Sequence, residues 1–193
     1  MDNFNQILPP EVSDRLDLRN VDIDLTLDSE DCEGRWPRCR ITIGEHEIFN
    51  DPIVRQQTIV DSKNIYDSSA EIRIEYYGKE STDTKINDQG QIIANQKMGI
   101  SKFKLNGVDI IKNGLIYRAE YSMELDPDKQ RYFKEHSIST KHHDYHFYEN
   151  GVWSLQIEIP VLTYIINITK QVETFEKIPY NSIIKNIIEK LEL

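Results

Sequence analysis

At 193 residues and 22.7 kDa the chain is long enough to bury one core of ordinary size. A net charge of −10 repels phosphate backbones, and the long apolar runs that cross a bilayer are missing, so nucleic-acid and membrane roles are set aside. Residues 1–34 hold ten of the acids against two arginines, a surface suited to a cation or a basic protein partner.

Residues 1–17, with Pro9-Pro10 and no sustained period, are expected to form an N-terminal arm. They lack the basic start and apolar run of a signal peptide, so synthesis in a cytoplasm and reduced Cys32 and Cys39 are expected. Residues 18–28 alternate, with Val21, Ile23, Leu25 and Leu27 on one face and Asp22, Asp24, Thr26 and Asp28 on the other, which predicts a half-buried strand. An acidic loop follows. Residues 38–43 predict a second strand with Cys39, Ile41 and Ile43 inward, turning at Gly44-Glu45 into a hairpin through residues 46–49. Residues 53–60 predict a weaker strand.

Residues 71–111 hold the most organised pattern. Ile72, Ile74 and Tyr76 alternate with Glu71, Arg73 and Glu75; the returning arm places Ser101, Phe103 and Leu105 opposite Lys102 and Lys104. Asn106-Gly107 predicts a tight turn before the strand restarts at residues 108–111. Between the arms lies a polar excursion with its own turn at Asn87-Asp88-Gln89-Gly90, a layout that displays something on a scaffold. Residues 115–123 are expected as strand, 126–135 as a short helix after Asp126-Pro127, and 137–148 as loop. Gly151 opens the last alternation, through Trp153, Leu155, Ile157 and Ile159, with Trp153 expected in the core; after Pro160 the strand is expected to resume over residues 162–168. In residues 179–193, Ile183, Ile184, Ile187, Ile188 and Leu191 recur at helical spacing. So short an amphipathic helix must bury its stripe, and these five residues are the predicted partner-binding surface, on a homo-oligomer or a mixed assembly, with docking on the protein's own sheet as the alternative.

No nucleophile–base order, phosphate loop or dinucleotide fingerprint occurs, and the chain is read as a non-enzyme. His136, His142, His143 and His146 crowd together without zinc-like spacing and are read as polar loop residues, so no metal site is assigned. The acidic segment from Asp22 to Glu33 offers oxygens to a hard cation such as Ca²⁺, but its alternation is that of a solvated strand face and the calcium-loop pattern is absent; no cofactor is assigned. Aromatic side chains left on a surface stack on sugar rings, and Trp36, Tyr76, Tyr77 and Tyr145 are the candidates for an alternative carbohydrate-binding role towards a host glycan; packing in a core or interface is the competing reading.

The segments YYGKESTDTKINDQGQIIANQKMGISKFKLNGVDI and ENGVWSLQIEIPVLTYIIN resemble small β-sandwich proteins of T-even-like marine phages, notably cyanophages. The features carrying the likeness are Tyr77-Gly78-Lys79, Asp83-Thr84, the arm at residues 100–105, Asn150-Gly151 with Trp153, and the tail after Pro160. The same layout is similar to calcium-dependent xylan-binding modules, but Ala94-Asn95-Gln96-Lys97 stands where those carry an acidic ligand. The phage resemblance implies a virion protein of the tail, baseplate or fibre-attachment region, assembling with other virion proteins. The expected fold is mainly β, an antiparallel jelly-roll-like β-sandwich over residues 18–168, with a C-terminal extension over residues 169–193 that includes the amphipathic helix.

Overall fold

The computed structural model describes residues 18–176, with side chains as far as residue 169. The chain is mainly β, and every strand pairing is antiparallel. β1 (Asn20–Glu30) buries Val21, Ile23, Leu25 and Leu27, as its alternation requires. β2 (Arg38–Ile43) buries Cys39, Ile41 and Ile43 and folds back into β3 (His46–Pro52). β4 (Gln56–Asn64) starts later than the predicted strand and leaves Val60 exposed. β5 (Ser69–Tyr77) buries Ile72, Ile74 and Tyr76. A short ribbon follows, β6 (Thr84–Ile86) with β7 (Ile92–Asn95), and then β8 (Lys97–Leu105) and β9 (Val108–Asp109). Asn106 and Gly107 both take positive φ, 47° and 79°, which is the turn that this pair favours. The remainder comprises β10 (Glu120–Met123), α1 (Pro127–Glu135), β11 (Lys141–His142), β12 (His146–Phe147), β13 (Gly151–Glu158) and α2 (Val161–Glu176).

One sheet runs in the order β12-β8-β1-β4, with β9 also paired to β8; the other runs β11-β10-β13-β5-β2-β3. Buried side chains from both sheets and from α2 belong to one hydrophobic cluster, which contains Leu25 and Phe103 of the first, Ile41 and Trp153 of the second, and Val161 and Ile165 of the helix. α1 begins on Asp126, whose carboxylate accepts hydrogen bonds from the Asp128 and Lys129 amides, and it buries none of its residues. Neither described helix is long and apolar enough to cross a membrane.

Three local readings of the sequence are corrected. Ser101 does not share a face with Phe103: the β1–β8 register slips between Thr26 and Leu27, Ser101 is the extra residue, and Ile100 takes the buried place. Residues 115–123 are not one strand. Leu115–Arg118 form a 3-10 turn, because Leu115, Ile116 and Ala119 are buried at helical rather than alternating spacing. Residues 162–168 are helix, not strand: Val161, Leu162, Ile165, Ile166, Ile168 and Thr169 repeat at intervals of three and four and bury one side of α2. α2 therefore runs across the boundary expected at residue 168. Residues 1–17, and the helix expected at 179–193 with its partner-binding Ile183, Ile184, Ile187, Ile188 and Leu191, lie outside the described residues.

Candidate functional site: a ribbon on a buried polar base

The excursion between β5 and β8 starts by turning a lysine inward. Lys79 is almost fully buried, where desolvation lowers its pKa despite the opposing field of Glu149. Its ammonium donates to Asn95 Oδ1 at 2.8 Å and to the Tyr148 carbonyl. Its backbone N–H and C=O are both taken by the Asn150 side chain, each at 2.9 Å. A buried ammonium is tolerable only when its donors are matched in this way.

The Ser81–Asp83 turn then buries Asp83. One Asp83 oxygen accepts from the Glu80 amide at 2.8 Å, and the other pairs with Arg35 Nε at 3.2 Å. Arg35 also reaches Glu80 at 3.0 Å. On the returning side Gln96 is buried, with its amide N–H on the Asp83 carbonyl at 2.8 Å and its side-chain nitrogen on the Arg35 carbonyl at 3.0 Å. The buried Tyr76 hydroxyl donates to Gln96 at 3.0–3.1 Å. Thr84 Oγ1 donates to Asn95 Oδ1 at 2.7 Å, where β6 and β7 leave the base. The ends of the ribbon are thus fixed to both β5 and β13 territory by satisfied polar groups.

The far end is of opposite character. At the tip, Asn87 Oδ1 accepts from the Gln89 and Gln91 amides at 3.0 and 2.9 Å, and the Asn87 amide closes on the Gln91 carbonyl. Beside this well-formed turn Ile86, Ile92 and Ile93 are 60%, 63% and 67% exposed. Ile92 and Ile93 are successive strand residues and point to opposite faces. Both faces of the ribbon therefore carry bare apolar surface near its tip. Lys85 reaches Glu33 at 3.1 Å and adds a tie from the ribbon itself to the β1–β2 loop.

The four aromatic residues considered for sugar stacking are not brought together. Tyr76 is inside the core, so its ring offers no face to a ligand, which corrects its surface role. Tyr77 sits under the Arg38 guanidinium, 5.6 Å from the ring centre, and donates to Asn50. Trp36 is half-buried in the β1–β2 loop, and Tyr145 stands before β12 against His146. The histidines also go separate ways: His136 stacks on Tyr132, His143 bonds the Ala119 carbonyl and His146 pairs with Asp144. No group of three potential metal ligands converges among the described residues. Cys32 and Cys39 are both buried free thiols, and burial pushes the Cys39 thiol up.

Sequence reasoning marked the excursion as a display element but missed its strands and its base. The signal for the strands was Lys85-Ile86 and Ile92-Ile93 flanking a turn sequence. Lys79, Asp83 and Gln96 carry no comparable signal, since polar residues in a polar segment read as solvated. Comparison of the chain with protein-family models, curated proteins and solved structures returns no match.

Proposed function

We propose that this protein is a structural or adaptor subunit of a phage particle, of the tail, baseplate or fibre-attachment region, acting by protein–protein assembly. The observation that supports this reading is the ribbon, whose three exposed isoleucines stand on a hydrogen-bonded base. Burying one large aliphatic side chain is worth about 1.5–3 kcal/mol before ordering costs, and a base already fixed in place keeps those costs small. Charge points the same way. The chain carries −10 overall, whereas residues 84–95 contain one lysine and one aspartate, so a partner approaching there meets no net repulsion. In this reading the two sheets face each other as a jelly-roll-like sandwich, for which the shared cluster and the Phe103–Trp153 contact speak. The stripe at Ile183, Ile184, Ile187, Ile188 and Leu191 supplies a second contact to neighbouring virion proteins or to another copy. Mass spectrometry of purified particles tests the assignment: the protein is expected in them at a fixed copy number, and its absence would overturn the reading.

A further inference from the structure

On the first sheet a cleft of about 550 Å³ lies where the end of β1 meets β8 and the segment around β12. That volume falls within the range of small-ligand sites. We infer that this cleft binds a neutral saccharide, with Tyr145 and Tyr148 as its apolar wall and Asp28 as a hydroxyl acceptor.

The wall is held in place from behind. The Ile100 amide donates to the Tyr145 carbonyl at 2.9 Å, and the Lys79 ammonium grips the Tyr148 carbonyl. Close approach of this segment to β8 depends on Gly99, where a Cβ would come within 3.1 Å of the His146 ring and 3.2 Å of the Tyr145 carbonyl. The Tyr145 ring packs on His146 at 4.7 Å and near Tyr117 at 6.3 Å, while Tyr148 is 48% exposed and makes no such ring contact among the described residues. A flat, bare ring on a fixed backbone is what the C–H face of a pyranose packs against.

The polar lining decides the ligand class. Asp28 Oδ1 is held by Gln56 at 2.6 Å, which orients the carboxylate and leaves Oδ2 as an acceptor. Glu30 is paired with Lys97 at 2.9 Å, so the cleft offers an acceptor and a donor side by side. His146 Nδ1 is engaged by Asp144 at 3.0 Å, and among the described residues its other ring nitrogen is left for a ligand. Acceptors and donors interleaved around aromatic rings match a ligand with hydroxyls of both senses and apolar ring faces. Lys97 is already neutralised by Glu30, so a sulfated or phosphorylated ligand would meet the uncompensated carboxylate of Asp28.

The test is a two-dimensional amide NMR titration of the full chain with neutral cello-, xylo-, malto- and manno-oligosaccharides, and with sulfated oligosaccharides as the charged comparison. At least one neutral series should shift the Gly99, Ser101 and Tyr148 amides, and Tyr148→Ala should weaken its binding about tenfold or more at unchanged melting temperature. Asp28→Asn should weaken it as well. The inference is overturned by no response to any neutral series up to about 10 mM. Shifts mapping away from the cleft, affinity unaltered in Tyr148→Ala, or binding of the sulfated series alone would overturn it too. Neither substitution changes a ribbon side chain, and the Tyr148 contact to Lys79 is through its backbone carbonyl, so particle incorporation reports separately on the assembly role.

Discussion

The ring of Phe103, on β8, lies 5.9 Å from that of Trp153, on β13, a contact between residues of the two sheets within one buried cluster. Both residues are fully buried, and the indole nitrogen of Trp153 has no hydrogen-bond partner among the described residues. Its contribution is therefore packing. Trp153→Ala should cost about 3–5 kcal/mol, enough to unfold a domain of ordinary stability. Trp153→Phe should cost clearly less, because it also removes the unpaired N–H. Urea unfolding of the two variants checks the order; equal losses would mean that the indole nitrogen is satisfied by a group that the fold does not account for.

Asp83 is the anchor of the ribbon. Replacing it with alanine leaves the Glu80 amide and Arg35 Nε without their acceptor, at a cost of roughly 1–3 kcal/mol. The loss should be local as well as global. Hydrogen exchange should accelerate at Lys85, Ile86 and Ile92 before it does in β1 or β13, and Asp83→Asn, which keeps one acceptor, should fall between the two proteins. Unchanged exchange in Asp83→Ala would show that the ribbon is held by other groups.

Alkaline pH should destabilise the protein through two buried phenols. Burial raises the pKa of both Tyr76 and Tyr121 above the ordinary value of 10.0. Above that value the unfolded chain releases these protons while the folded chain keeps them, so the unfolded state binds fewer protons and stability falls as pH rises. Below it both states are protonated and the two groups add no slope. Urea midpoints measured from about pH 9 to about pH 11 should fall in the wild type and fall less steeply in the Tyr76→Phe, Tyr121→Phe double variant, whatever the offset from lost hydrogen bonds. Parallel slopes would contradict the burial of these hydroxyls.

Much of the fold was legible because its strands are wet on one face. The alternation in β1, β2, β5 and β13 named most of the buried residues, although Thr26, expected outward, is buried and Ile159, expected inward, lies past β13 and is only partly buried; Asn106-Gly107 announced its turn. Legibility failed where period and length stopped agreeing. The apolar run after Pro160 fits strand or helix equally well when read as a short block, and only its packing on the core selects α2. Ser101 was misplaced because a one-residue bulge reverses every facing on one side of it. The candidate site was half visible. The excursion showed itself by its length and turn, whereas its buried base did not, since the pairing of Lys79 with Asn95 or of Asp83 with Arg35 joins residues that no local pattern connects.

The central claim, that the ribbon is the surface through which the protein assembles, is tested most directly by the copy number of a ribbon variant in particles. Ile86→Ser, Ile92→Ser and Ile93→Ser combined replace exposed side chains, so the isolated protein should keep its stability within about 0.5 kcal/mol per site. Quantitative mass spectrometry of particles produced with this variant in place of the wild type should find it depleted by at least about tenfold, the loss expected if about 1.4 kcal/mol or more of contact energy is removed. Wild-type copy number for a stable, fully expressed variant would contradict the claim.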